Sequence, residues 1–244
     1  MFFSVFSPFD FFASFDQIVK IDMQFCGSSA RKDKPELARS GTTKKVTRIQ
    51  REKTEAILNA ALDVFSKHGF RGSTIDMIAT NAQLSKPNIL YYFDSKETMH
   101  AQLLEHLLDT WLEPLEQISP EGDPVDEICG YVQRKLEMAR DYPRESRLFA
   151  NEILQGAPHI IDQLTGPLRT LTDSKALVIQ RWIDDGKLAE VDPYHLIFSI
   201  WSTTQHYADF DVQVQAVLGD SANLRFEQAQ AHLDMMFRAM LTRK

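Results

Sequence analysis

The chain has 244 residues, 43% of them hydrophobic and 25% charged, enough to bury a substantial core in one or two domains. Its formal net charge of -7 does not exclude nucleic acid as a partner, because the charge is uneven: residues 31–100 carry a net +5 and residues 101–244 a net -10. Cys26 and Cys129 are too few for a disulfide scaffold and lack metal-ligand spacing, so no structural metal is implied and a reducing cytoplasm is the natural compartment.

The first thirty residues crowd Phe2, Phe3, Phe6, Phe9, Phe11, Phe12, Phe15 and Phe25 around Asp10, Asp16 and Asp22. They lack the positive leader of a secretory signal, and the acids interrupt the roughly 20 apolar residues a membrane helix needs. This segment reads as a poorly ordered extension, or as sequence upstream of a start at Met23. From Arg31 to Lys53 the chain turns strongly basic, and Lys44, Lys45 and Arg48 are candidates to track phosphates or enter a minor groove. A solvated arm would have the same composition.

The first strong helical pattern places Ile57, Leu58, Ala61, Leu62 and Phe65 on one face, with Gly69 as its C-terminal cap. Thr74 then offers a hydroxyl cap to a short helix whose Ile75, Ile78, Ala79 and Ala82 form a buried face. Only three residues separate that helix from a second cap, Ser85, and Pro87 costs little near a helix start because first-turn N–H groups have no intrahelical partner. Ile89 and Leu90 are expected to face inward. Ser85, Lys86, Pro87, Asn88 and Tyr91 are expected to face outward, as a helix entering a major groove requires. Tyr92 and Phe93 lead to Ser95, the cap of a long helix whose Lys96 is placed to suit a phosphate. A helical hairpin without a DNA role would share the apolar pattern, but not this ordered set of caps, aromatics and basic residues.

Thr74, Ile78, Ala79, Ala82, Leu84, Ser85, Tyr91, Tyr92, Phe93, Lys96 and Glu97 resemble the DNA-binding domain of TetR-family transcriptional regulators. The resemblance implies an all-α protein. A three-helix DNA-binding domain over 46–98 would follow a 1–45 extension and precede a helical ligand-binding and dimerisation domain over 99–244. One departure stands out: the family places Gly in the turn where this chain has Gln83, which adopts positive φ less readily.

Beyond residue 100, Leu103, Leu104, Leu107, Leu108 and Trp111 share one helix face that Pro114 is expected to end. After a Pro-Glu-Gly-Asp-Pro loop at 120–124, helices are expected over 125–141, 143–155, 168–185, 193–215 and 222–241. Almost no strand alternation appears, and internal repeats and the nucleophile-elbow, zinc-helix and phosphate-loop signatures are missing, so the sequence does not read as an enzyme and calls for no cofactor. A helical enzyme acting on small amides or nucleobases would need a nucleophile, base or metal at recognisable spacing.

In the body, Arg140-Asp141-Tyr142-Pro143, Ser146 to Phe149, Gly156-Ala157-Pro158, Gly186-Lys187-Leu188 and Trp201 to Phe210 resemble the pyrimidine-utilisation regulators of that family. This resemblance implies a homodimer on palindromic double-stranded DNA, released by a pyrimidine base such as uracil or thymine. An unrelated effector is the alternative, since a few pocket changes can alter ligand choice on one fold. Trp201 and Gln205, at i and i+4 on one helix face, could offer an indole to stack on the ring and a carboxamide to pair with its imide edge. His206 and Asp209 are secondary candidates, with Trp111, Arg134, Lys135, Asn151 and Glu152 arriving from other helices. Core packing for Trp201 and a structural hydrogen bond for Gln205 or His206 fit the same pattern. Leu196, Ile197, Ile200, Leu233, Met236, Phe237 and Met240 would serve equally as a dimer bundle or as an intramolecular core.

Overall fold

A computed structural model describes residues 48–242; the Phe-rich segment and the basic arm with Lys44 and Lys45 lie outside the described residues. Backbone contacts divide the chain at Leu58, within the first helix, and the residues from Asn59 onward form one compact unit. No strand occurs among the described residues.

Helix α1 spans Arg48–Gly72, with a break in helical geometry at Gly69, whose φ of 65° is the left-handed value that glycine adopts without penalty. Ser73 Oγ donates to the freed Gly69 carbonyl at 2.6 Å. Two short helices follow, α2 (Ile75–Asn81) and α3 (Lys86–Tyr92). Thr74 Oγ1 caps α2 by accepting from the Met77 N–H at 3.2 Å. Ser85 holds the N-cap position of α3 with extended backbone, but its hydroxyl makes no cap bond, so the expected side-chain cap is absent there. Ile78, Ala79 and Ile89 are buried as their spacing demands; Leu90 is 41% exposed, contrary to expectation, because the single turn that buries Ile89 turns its neighbour outward.

Helix α4 (Lys96–Glu116) begins at Ser95, whose Oγ accepts from the Thr98 N–H at 3.1 Å. It continues through Pro114 instead of ending there. Losing one backbone bond at a proline is offset by the burial of Leu115 and, past the helix end, Ile118. The body continues with α5 (Pro124–Asp141), α6 (Pro143–Leu154), the single turn α7 (Ile161–Gln163), a π-helical segment Leu164–Leu168 and α8 (Arg169–Asp184). Asp123 and Asp192 cap α5 and α9 (Pro193–Asp209), each followed by a proline at the position where the missing N–H costs nothing. The expected helix over 193–215 is broken at Phe210, giving α10 (Asp211–Leu218). A 3₁₀ segment, Gly219–Leu224, delays the last helix, α11, to Arg225–Leu241.

The core lies where α5 packs on α9 and α11. Ile128, Tyr131, Val132 and Leu136 of α5 meet Leu196, Ile197 and Ile200 of α9 and Leu233 and Phe237 of α11, all buried. Of the two readings of those last five residues, the intramolecular core is therefore the one adopted. Met236 packs partly buried against it, and Met240 stays 39% exposed. Each fully buried Leu, Ile or Phe contributes about 1.5–3 kcal/mol, so this layer fixes the position of α9 and its polar face.

Candidate functional site

The α2 to α3 turn closes as a Schellman motif: Leu84 N–H reaches back to Ala79 O at 3.0 Å and Gln83 N–H to Thr80 O at 3.2 Å. That motif requires a left-handed residue, and Gln83 supplies it at φ 54°. Asn81 Nδ2 donates to Ala60 O at 3.2 Å, anchoring the end of α2 to α1. Beyond the turn, Ser85, Lys86, Pro87, Asn88 and Tyr91 are exposed and Tyr92 half-buried, a short helix carrying polar and aromatic groups outward. Lys86 Nζ lies 2.9 Å from Asp76 Oδ2 in an exposed pair of little net stability, which a phosphate can compete for. Arg48 pairs with Glu52 in the same way at 2.7 Å.

Lys96 departs from expectation. Its ammonium donates to Phe70 O at 2.9 Å and Ser73 O at 3.0 Å, and lies 4.2 Å over the Phe70 ring. The Phe70 and Ser73 carbonyls after the Gly69 break give this charge two acceptors, so it holds the end of α1 to α4.

A second site lies in the body. A cavity of about 60 Å³ is lined by Leu108, Trp111, Leu112 and Leu115 of α4, Tyr131 and Lys135 of α5, Phe149 of α6, Leu168 of the π-helical segment, and Trp201 and Gln205 of α9. Helical spacing explains each contribution, since i, i+3, i+4 and i+7 share a face on α4 and i, i+4 on α5 and α9. Four of the sequence candidates, Trp111, Lys135, Trp201 and Gln205, meet here. His206 does not: it is exposed and stacks on Phe210 at 5.1 Å, one residue around the helix from Gln205. Asp209 accepts from Ser146 Oγ at 2.6 Å outside the lining. Arg134, whose Nη2 donates to Pro114 O at 3.3 Å, and Asn151 and Glu152 are also outside it. Tyr131, Phe149 and Leu168 were not foreseen; they are ordinary apolar-face residues in the sequence, and only the packing distinguishes them from the core.

Polar groups in this apolar cavity are incompletely satisfied. Trp201 Nε1 donates to Tyr131 Oη at 2.6 Å, which fixes the indole. The Trp111 indole N–H is buried without a hydrogen-bond partner. Lys135 is 4% exposed and lies 4.9 Å over the Trp111 ring, with no hydrogen bond or ion pair to another described residue. Burial pushes its ammonium down to about 7, only partly opposed by the negative charge of Asp209. The Gln205 carboxamide likewise bonds no other described residue. Such unmet groups are costly in a low-dielectric interior unless a ligand completes them.

Residues 57–103 match the family described as bacterial regulatory proteins, tetR family, and residues 104–243 match the C-terminal region of YcdC-like protein. The chain is 50% identical over 186 residues to the HTH-type transcriptional regulator RutR of Escherichia coli (strain K12), covering 76% of this chain and 87% of that one. It is 36% identical over 99 residues to the HTH-type transcriptional repressor SCO4008 of Streptomyces coelicolor, covering 40% of this chain and 48% of the relative. Among solved structures, the transcriptional regulator SCO4942 of Streptomyces coelicolor gives a TM-score of 0.62 at 23% identity, over 79% of this chain and 99% of that one. AibR, solved with isovaleryl coenzyme A and operator DNA, gives 0.55 at 18% identity, over 75% and 97%. The two structural likenesses speak for the fold.

Proposed function

The chain belongs to the TetR family of bacterial regulatory proteins, and from that premise we propose a cytoplasmic, dimeric repressor released from its operator by a pyrimidine base such as uracil or thymine. It is a helix-turn-helix transcriptional regulator, similar to RutR over most of its length. Residues 46–98 serve DNA binding, and residues 99–244 serve effector binding and dimerisation. Its relatives are transcriptional regulators, so the cavity is read as a sensor and not as an active site.

The observation that carries the effector reading is the polar set in an otherwise apolar cavity: the Trp201 and Gln205 pair facing Lys135 and the unpartnered Trp111 N–H. A planar ring with an imide edge and carbonyl acceptors complements it. The indole supplies a stacking face and the Gln205 carboxamide a matched donor and acceptor, while Lys135 and Trp111 supply donors for a carbonyl oxygen. On the DNA side, Thr74, Ser85, Lys86, Pro87, Asn88, Tyr91 and Tyr92 form the contact surface, with Lys44, Lys45 and Arg48 adding phosphate contacts. Two-fold repetition of this short helix supplies both affinity and half-site spacing. Exposed apolar residues on α9, on α10 and at the break between them, among them Phe198, Phe210, Val212 and Val217, remain for the partner copy once the core residues are assigned.

Calorimetric titration of the protein with uracil, and with Gln205→Leu in parallel, tests the effector reading. Saturable uracil binding that Gln205→Leu weakens by tenfold or more is the expected result, since a site built for polar groups rejects a ligand left unpaired. Equal uracil affinity in both proteins, or no uptake, would sink the assignment.

A further inference from the structure

Outside the effector cavity, His100, Glu152 and His159 place one ligand atom each within 4.8 Å of one another. His100 lies in the second turn of α4, Glu152 in the last turn of α6, and His159 just after it. We propose that these three residues form a binding site for a divalent transition-metal cation, of which zinc fits the donor set best.

Burial distinguishes this cluster from a chance surface grouping. His100 is 1% exposed and Glu152 2%. His100 Nδ1 is buried without a hydrogen-bond partner, which is a cost that a metal would remove. The local backbone serves the grouping. Gly156 at φ 89° and Ala157 at φ 55° turn the chain sharply after α6, and Ala157 N–H closes on Glu152 O at 2.9 Å. A non-glycine residue in the left-handed region is strained, and such strain collects at functional sites. The turn returns His159 so that its backbone N–H donates to Glu152 Oε1 at 2.7 Å, with its Nδ1 3.0 Å from Glu152 Oε2.

Donor chemistry selects the cation. Two imidazoles and one carboxylate are borderline ligands that suit zinc and its neighbours, whereas calcium and magnesium prefer all-oxygen shells. Three protein ligands leave a fourth tetrahedral position for water. Phe65 and Phe70 flank the cluster with ring centroids 4.9 and 4.7 Å from His100, and Phe70 stands 4.7 Å from His159, a dry wall that limits solvent access. Lys96, a cation close enough to act on His100, is already held by the Phe70 and Ser73 carbonyls. His100 falls in the region matching the tetR-family DNA-binding model, and Glu152 and His159 in the region matching the C-terminal one. A bound cation would tie the start of α4 to the end of α6 across that boundary.

The test uses untagged full-length protein stripped with chelator and titrated with cobalt, whose visible absorption reports the coordination, and with zinc in competition. Wild type is expected to take one cobalt per chain with a tetrahedral spectrum that zinc displaces. His159→Gln and Glu152→Gln are each expected to weaken uptake by tenfold or more, and His159 is exposed enough for the first variant to fold. Wild type showing no cobalt spectrum would overturn the proposal, as would uptake unchanged in both folded variants, which would put the metal elsewhere.

Discussion

The Trp201 indole N–H donates to the Tyr131 hydroxyl across 2.6 Å, joining α9 to α5 at the wall of the effector cavity. Burial holds the Tyr131 hydroxyl well above the usual phenol range, so it stays protonated and neutral at every physiological pH. Tyr131→Phe would leave the half-buried indole N–H without its partner. The expected cost is about 1–3 kcal/mol of stability, read from the denaturant midpoint, with a several-fold loss of effector affinity because the stacking face is no longer fixed. Unchanged stability would mean that water takes the hydroxyl's place.

Lys135 sets a pH dependence whose sign follows from burial. Its folded-state value of about 7 lies below the roughly 10.4 of an unfolded lysine, so between those values the unfolded chain holds more protons. Stability should therefore rise as pH climbs from about 7 toward 10, with the full penalty present below 7. Lys135→Met should flatten that slope and raise the thermal midpoint at neutral pH, yet weaken effector binding. Effector affinity in the wild type should fall as pH rises through about 7, when the ammonium is lost. A Lys135→Met protein that melts lower than wild type at pH 7 would contradict this account.

Gln83 occupies the left-handed position of the Schellman turn between α2 and α3. A side chain there is strained by roughly 1 kcal/mol relative to glycine, part of which glycine gives back through greater freedom in the unfolded chain. Gln83→Gly should stabilise the fold by about 0.5 kcal/mol and leave operator choice unchanged. Destabilisation of more than 1 kcal/mol would show that the Gln83 side chain makes a contact of its own.

The two lysines of the DNA-binding region should separate cleanly. Lys86 is exposed and loosely paired with Asp76, while Lys96 is engaged by two backbone carbonyls. Lys86→Ala and Asn88→Ala should weaken operator binding and alter base preference, Lys86→Ala also lowering the salt dependence by the equivalent of one phosphate contact. Lys96→Ala should instead lower thermal stability and leave the salt slope intact. A reduced salt slope in Lys96→Ala would return that residue to the DNA surface.

Much of this arrangement was legible because helical periodicity is a local signal. Thr74 and Ser95 marked helix starts, and the 3.6-residue repeat put Trp201 beside Gln205 on one face. The backbone partners of Lys96, the Phe70 and Ser73 carbonyls, were not legible because they come together only once Gly69 breaks α1. Pro114 misled for a related reason, since the burial of Leu115 and Ile118 outweighs one missing backbone bond. His206 follows Gln205 directly, and a helix rotates by about 100° per residue, so its ring meets Phe210 instead; Asp209 shares the face of Gln205 one turn on, but Ser146 takes its carboxylate outside the lining. His100 and His159 carried no sequence signal and Glu152 was read only as an effector-pocket candidate, the three being 52 and 7 residues apart and brought together by the turn at Gly156 and Ala157.

The central claim is that occupancy of the Trp201 and Gln205 cavity controls DNA binding. Its most direct test is titration of the full-length protein onto its own upstream DNA at fixed salt, with and without uracil, thymine and unrelated nucleobases. Couplings between effector and operator are typically about 1–3 kcal/mol, so a pyrimidine should weaken specific binding at least several-fold while purines do nothing. Specific binding that no pyrimidine weakens would contradict the account, leaving a DNA-binding regulator whose effector is something else.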